Sequence, residues 1–224
     1  MSDFFSVMPT KSVRSREPSL NEQAYQKLKH ALITLSYKPG EYLNTAQVMD
    51  EMAMGRTPIN QAIHRLSAEG LLQILPRKGV MVSPLSIDDA LNMVDVRLAN
   101  ELLCIKLVCK KMTTEKLALL KALNAQMQQA CQEMDHVQML ALDGQFHQTL
   151  LEIADNRWLT DILSILHAQA QRFWASTLSN QQHMQEVVVE HNEILMALEA
   201  RSSEQAEHAV QSHILSFRQS LLKG

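Results

Sequence analysis

The sequence predicts a mainly α protein with two domains, a small α+β domain followed by an all-α bundle of six antiparallel helices. Two observations lead to this prediction. Residues 43–83 change from apolar residues at helical spacing to two short apolar runs around a basic turn. Beyond Pro84 the chain has no proline, and its only glycines are Gly144 and Gly224. Because proline and glycine most often interrupt helices, the second part favours long helices.

In the first domain, a short helix is predicted to begin at Asn44 or Thr45, because either side chain can serve as its N-cap. Three apolar residues recur at helical spacing behind this cap: Val48, Met49 and Met52. Residues 53–55 should end the helix, with Gly55 supplying the backbone freedom that a tight turn between helices requires.

A second helix is predicted to follow, with Thr57 as its N-cap, Pro58 at its first helical position and Gly70 as its end. Its buried stripe consists of four apolar residues: Ile59, Ala62, Ile63 and Leu66. Six side chains lie off that stripe and are available to bind a partner molecule: Arg56, Thr57, Asn60, Gln61, His64 and Arg65.

The apolar runs 71–75 and 80–82 flank the basic segment 76–79 and are predicted to form a hairpin. An arginine-bearing helix beside a hairpin with a Lys78-Gly79 tip is typical of a winged helix-turn-helix (α+β), which enters a DNA groove. Helix-turn-helix shapes also serve as protein-docking modules. The helix pair and the hairpin together favour DNA binding.

The charge distribution agrees with a DNA-binding first domain. Residues 1–85 carry 10 Lys and Arg against 7 Asp and Glu, whereas residues 86–224 carry 11 against 17. We therefore divide the chain into a flexible N-terminal arm at 1–19, a winged helix-turn-helix domain at 20–84 and a helical domain at 85–224. No apolar run reaches the length of a membrane span and no secretory signal is visible, so we expect a cytoplasmic protein without a membrane partner.

Six helices are predicted in the second domain, separated by capping residues such as Asp135 and Asn156. Their predicted positions are about 87–111, 113–134, 136–153, 156–178, 181–200 and 203–222. The short turns between them, one of them at 179–180, indicate an antiparallel bundle.

Acidic and histidine residues in this bundle form a second informative pattern. Asp143 and His147 are four residues apart, so both lie on one face of a helix. His191 and His213 fall on two later helices. One aspartate and three histidines that meet inside a bundle would suit a divalent transition metal. Each histidine alone is more often a surface residue or a hydrogen-bonded core residue.

The N-terminal segment resembles the DNA-binding domain of the GntR family of bacterial transcription regulators. The resemblance implies that Arg56 and Thr57 contact bases or phosphates, that Arg65 contacts a phosphate, and that Lys78 and Gly79 approach the minor groove. It rests on the following residues: Leu28, Lys38-Pro39-Gly40, Leu43, Arg56-Thr57-Pro58-Ile59, Ala62, Leu66, Glu69-Gly70-Leu71 and Lys78-Gly79.

The chain departs from the family pattern around the second helix. Asn60 and Gln61 stand where the family usually has Arg-Glu, and Gly55 replaces a usual Ser or Thr. Because Asn and Gln can pair bidentately with adenine, whereas Arg prefers guanine, we expect the operator to differ from the common family site. His64 is a further candidate DNA contact.

Residues 87–218 resemble the FCD effector domain, which follows the GntR module in one large subfamily. The resemblance implies that the four residues Asp143, His147, His191 and His213 hold a divalent metal ion at the floor of a cavity. This set of oxygen and imidazole ligands does not discriminate strongly among metals, and we expect zinc, with nickel or manganese as alternatives. The matching pieces are Arg97-x-x-x-Glu101, Asp143-x-x-Phe146-His147-x-x-Leu150, Ala154-x-Asn156 with Leu159, His191-x-x-Ile194-x-x-Ala197 and Ala209-x-x-x-His213.

Four protein ligands leave open positions on an octahedral ion, so a small organic acid can bind there through its oxygens. Arg97 is a candidate partner for the charge of that acid. The alternative for Arg97 is an ion pair with Glu101 at i+4, and the sequence does not separate the two. Arg172 is a second candidate for the cavity wall.

Together these features predict a homodimeric, ligand-responsive transcription repressor that binds an inverted-repeat operator. Two alternatives stay open. A metal-dependent helical-bundle enzyme is one, although the glutamate pairs of a dinuclear site are missing and no general base stands out near the four ligands. A bundle that has lost its ligand and acts only through protein contacts is the other.

Overall fold

The structure, a computed structural model, describes residues 18–177 and 181–223. The N-terminal domain consists of α1 (Leu20–Ile33), β1 (Tyr42–Leu43), α2 (Thr45–Met52), α3 (Arg56–Ala68), β2 (Leu72–Leu75) and β3 (Gly79–Val82). The second domain consists of α4 (Ile87–Lys111), α5 (Thr114–Glu133), α6 (His136–Ala154), α7 (Arg157–Thr177), α8 (Gln181–Glu199) and α9 (Ser203–Lys223). The predicted fold class is confirmed. Residues 1–17 of the predicted arm and the predicted break at 179–180 lie outside the described residues.

The structure corrects the predicted turn between α2 and α3. Ala53, rather than a glycine, takes the left-handed conformation after α2, with φ 53°. Gly55 has an extended backbone (φ −71°, ψ 169°) and is itself the N-cap of α3. The helix therefore begins at Arg56, and Thr57 is its second residue rather than its cap. Pro58 is the third residue, where a backbone N–H still lacks an intrahelical partner.

Three strands form a small antiparallel sheet in the order β1-β3-β2. The predicted hairpin is present as β2 and β3, with Leu75 opposite Gly79. In its turn Lys78 N donates to Leu75 O at 3.0 Å, and Arg77 takes a positive φ of 64°. The sequence pattern does not predict β1, because a two-residue strand is too short to show a period.

Helices α4 to α9 pack around one apolar core. Helix α4 packs against α6, α7 and α9, helix α5 packs against α6 and α8, and α8 packs against α9. Phe146 of α6, Ile194 of α8 and Ile214 of α9 are all buried in this core. The faces of α6, α8 and α9 that carry the predicted metal ligands therefore turn inward together.

The two domains meet along α7. Ala168 is buried among the core residues of the N-terminal domain. Gln169 Nε2 donates to Glu69 O at 3.0 Å, and the Arg172 guanidinium donates to Ser83 O. These contacts reach both the end of α3 and the end of β3. Within the described residues, no helix combines the length and the apolar character needed to cross a membrane.

Candidate DNA-binding surface and metal centre

Helix α3 has a buried face and an exposed polar face, as the sequence predicts. The four apolar residues of its stripe are buried in the N-terminal core. All of the predicted contact residues are exposed: Arg56, Thr57, Asn60, Gln61, His64 and Arg65 on α3, and Lys78 and Gly79 at the hairpin tip. The N-terminal domain thus presents a polar helix and a basic hairpin tip to solvent.

Arg65 lies on this surface but already has partners in the protein. Its Nη1 donates to Glu22 Oε2 at 2.9 Å, and its guanidinium carbon lies 3.4 Å from the centroid of the Tyr25 ring. The Tyr25 hydroxyl in turn donates to Glu69 Oε1 at 2.8 Å. Arg65 therefore ties α1 to α3, and half of its side chain still faces solvent.

The structure brings the four predicted metal ligands together. Candidate ligand atoms of His147, His191 and His213 lie within 4.8 Å of one another. Asp143 Oδ1 lies 3.6 Å from His147 Nε2 and 3.7 Å from His191 Nε2. All four residues are buried. Three helices thus bring one carboxylate and three imidazole rings together in one buried cluster.

His191 shows most clearly that this cluster suits a metal ion. It is completely buried, it stacks on Phe146 with the ring centroids 4.2 Å apart, and neither of its ring nitrogens has a hydrogen-bond partner among the described residues. Burial holds the pKa of both His147 and His191 well below the usual histidine range. Neutral imidazoles with unshared lone pairs bind metals, and a buried nitrogen without a partner is otherwise costly. The residues fit a divalent transition ion.

Two of these histidines have a glutamate carboxylate near their Nδ1 atom. His213 Nδ1 lies 2.8 Å from Glu190 Oε2, which leaves Nε2 of the same ring for a metal. His147 Nδ1 lies 4.0 Å from Glu101 Oε2. Burial alone would raise the pKa of Glu101, but the Arg97 and His167 charges hold it well below its usual value. Sequence reasoning missed Glu190 and His167, since no spacing rule links them to residues on other helices.

The second carboxylate oxygen of Asp143, Oδ2, faces Gln171 rather than the histidines. Gln171 Nε2 lies 3.4 Å from Asp143 Oδ2 and also donates to Leu140 O at 3.1 Å. Burial raises the pKa of Asp143. A metal ion at Oδ1 would offset that cost, because a bound cation favours the ionised carboxylate.

A small cavity opens directly above the cluster, and its walls include Asp143, His147, His213 and Arg97. The centres of water-sized molecules have about 50 Å³ of free space in it, so the cavity admits small molecules. Phe217 supplies part of an apolar wall. The cavity therefore combines the metal ligands, one guanidinium and apolar surface.

The two arginines proposed for the effector lie in different places. Arg97 lines the cavity and also pairs with Glu101 through Nε and Nη2, both at 2.8 Å from Oε1. The ion pair expected at i+4 is therefore present, and the contact of Arg97 with an acid stays a prediction. Arg172 does not line this cavity. It is completely buried at the domain junction, where its guanidinium donates to Ser83 O and Gln169 Oε1. Burial lowers the pKa of Arg172 to about 10.

Comparisons with known proteins agree with both domains. A family model described as "Bacterial regulatory proteins, gntR family" matches residues 20–82. A model of the FCD domain matches residues 92–216, more than half of the chain.

Relatives match along most of their length. The chain is 25% identical over 202 residues to the "HTH-type transcriptional repressor RspR" of Escherichia coli (strain K12), which covers 90% of this chain and 89% of that protein. It is 24% identical over 192 residues to the "Uncharacterized HTH-type transcriptional regulator YdhC" of Bacillus subtilis (strain 168), with coverage of 85% and 86%.

The fold has solved counterparts. The structure of E. coli McbR/YncC aligns with a TM-score of 0.84 at 22% identity and covers 92% of this chain and 99% of that chain, which shows a shared fold. The matching families and relatives are transcriptional regulators, and the enzyme alternative receives no support from them. The chain belongs to the GntR family of bacterial regulatory proteins and is a transcriptional regulator with a helix-turn-helix DNA-binding domain followed by an FCD domain.

Proposed function

We propose that this regulator is a homodimeric repressor whose affinity for an inverted-repeat operator is controlled by a small organic acid bound next to a divalent metal ion. One observation carries the proposal. Asp143, His147, His191 and His213 form one buried cluster, and all of them except His191 line a cavity that also contains Arg97, a cation suited to a carboxylate. The similarity to RspR, a repressor by name, supports the sign of the regulation. The proposed action on chromosomal DNA supports a cytoplasmic location.

A direct experiment tests the DNA-binding part of the proposal. A mobility shift with the promoter beside the protein's own gene should show specific binding that unrelated DNA does not compete away. Light scattering should give the mass of two chains, since a two-fold dimer matches an inverted repeat. Exposed apolar side chains on the neighbouring helices α4 and α7 support dimerisation: Val96, Leu103, Trp158 and Ile162. Monomeric protein, or binding without sequence preference, contradicts the proposal.

A separate prediction concerns Asn60, which is exposed on α3, the proposed DNA-recognition helix. Asn60→Arg should raise operator affinity and shift the selected base towards guanine, because the guanidinium pairs bidentately with guanine O6 and N7. Asn60→Lys is the matched control, since it adds the same charge without the planar fork. Selection from random DNA reads out the preference. An identical selected site for Asn60→Arg and the wild type would show that position 60 reads no base.

Another prediction concerns the proposed metal centre and Glu190, whose Oε2 lies 2.8 Å from His213 Nδ1. Glu190→Gln should weaken zinc binding about 10- to 100-fold, because an outer carboxylate fixes the ring orientation and raises the basicity of the ligand. Competition with a chelator measures the affinity. Glu193→Gln, an exposed position on the same helix, should leave it unchanged. Equal zinc affinity in both variants would remove Glu190 from the site.

A further inference from the structure

Helix α7 holds the DNA-binding domain through three neighbouring residues. Ala168 is buried in the N-terminal core, Gln169 Nε2 donates to Glu69 O at 3.0 Å, and Arg172 donates to Ser83 O. Glu69 is the C-cap of α3, and Ser83 directly follows β3. A displacement of this part of α7 therefore acts on both the recognition helix and the hairpin.

The same stretch of α7 also reaches the metal centre. Gln171 lies between Gln169 and Arg172 in the sequence, and its Nε2 lies 3.4 Å from Asp143 Oδ2. His147 Nε2 and His191 Nε2 approach the other oxygen, Oδ1, at 3.6 and 3.7 Å. Asp143 thus offers Oδ1 to the ligand cluster and Oδ2 to α7.

Gly144 makes the contact between Gln171 and Asp143 possible. A Cβ at position 144 would lie 2.7 Å from Gln171 Nε2, closer than such atoms approach. Glycine inside a helix costs about 0.5–1 kcal/mol relative to alanine. The less favourable residue thus stands where the Gln171 amide packs against α6.

We propose that Gln171 is a positioning residue that couples the metal centre to the DNA-binding domain: its amide orients Asp143, and α7 transmits the position of that amide to Glu69 and Ser83. The inference rests on the proposed function, because it requires a metal ion at Asp143. It assigns the transmission to α7, whereas the chain connection between the domains runs through α4.

The physical basis is that the two carboxylate oxygens of Asp143 face different partners: Oδ1 faces the histidines and Oδ2 faces Gln171. A metal ion at Oδ1 would fix the plane of the carboxylate, and with it the direction in which Oδ2 meets Gln171 Nε2. Gln171 also lines the cavity, so an acid bound there competes with Asp143 for the same amide. Because residues 169–172 belong to one helical turn, the contacts at Gln169 and Arg172 move with Gln171.

Zinc alone is a sufficient probe of this coupling. Amide hydrogen exchange of the full-length protein should be compared in zinc and in chelator, with attention to peptides that cover 66–75 and 79–85. The wild type should exchange these amides several-fold more slowly with zinc. Gln171→Leu and Gly144→Ala should lose this zinc-dependent protection at saturating zinc, and Gln171→Leu should bind zinc about tenfold more weakly.

Gly144→Ala separates coupling from folding, because alanine favours the helix and only the end of the Gln171 side chain must move. Gln145→Ala, on the exposed side of the same helix, should behave like the wild type. Zinc-dependent protection that persists in Gln171→Leu, or that is missing from zinc-loaded wild type, overturns the coupling role. If metal analysis shows that the wild type binds no zinc, the proposed metal centre fails first and this inference fails with it.

Discussion

Replacement of His191 by alanine is expected to reduce bound zinc from about one ion per chain to a small fraction of that. His191 is completely buried, and neither of its ring nitrogens has a hydrogen-bond partner among the described residues, so a metal ion would satisfy a nitrogen that the protein leaves without a hydrogen bond. Its Nε2 lies 3.7 Å from Asp143 Oδ1, which places the lost ligand at the centre of the cluster. Elemental analysis after incubation with zinc and removal of free metal gives the stoichiometry.

The same variant should lose stabilisation by zinc. Zinc at about 100 times its dissociation constant should raise the free energy of unfolding of the wild type by about 2.7 kcal/mol, because the ion binds only the native state. In His191→Ala the difference between zinc and chelator should be close to zero. Comparison with and without zinc within each variant removes the packing cost of the truncated ring from the result.

His208→Ala is the matched control, because His208 is exposed on α9, the helix that also carries His213. It should keep full zinc content and full stabilisation. Wild-type protein without zinc after incubation, or a His191→Ala variant that retains a full equivalent, would show that the four-residue cluster is not the metal centre.

Arg56→Ala is expected to weaken specific operator binding about 5- to 150-fold, the equivalent of about 1–3 kcal/mol, if the side chain contacts a base edge bidentately. Arg56 is exposed in the first turn of α3, and its side chain makes no hydrogen bond or salt bridge with the described residues. Its loss should leave the fold intact. Fluorescence anisotropy with labelled operator, together with circular dichroism, measures both properties.

Arg56 is a cleaner probe than Arg65, because Arg65 also ties Glu22 and Tyr25 together and its loss would disturb the domain. Lys110→Ala removes the same charge from the exposed end of α4 and should leave operator affinity unchanged. Equal affinity of Arg56→Ala and the wild type at moderate salt would place Arg56 outside the interface.

Local signals in the sequence account for most of the fold. Cap residues predicted from the sequence act as caps in the structure: Asn44 accepts from Ala46 N at 3.1 Å, and Asp135 accepts from Gln138 N at 2.9 Å. The apolar stripe of α3 is buried as its spacing predicts. Such features depend on residues close in sequence, so one chain is enough to predict them.

Features that depend on tertiary context were not predictable in this way. The turn before α3 uses the left-handed conformation at Ala53, whereas the composition favours Gly55 for that role. The predicted metal ligands follow from the resemblance to the FCD domain. Their neighbours Glu190 and Gln171 do not, because each reaches a ligand on a different helix. The position of Arg172 at the domain junction likewise depends on how α7 packs.

The central claim is that an acid in the cavity and operator DNA affect each other's binding. Acetate, succinate and citrate should be titrated into zinc-loaded protein by calorimetry, and the operator curve should be repeated with the strongest binder at saturation. We expect operator affinity to change by about 5- to 150-fold, and the affinity for the acid to change by the same factor when operator is present. Two results would contradict the account: an operator curve that a saturating acid leaves unchanged, or a titration in which none of the three acids binds.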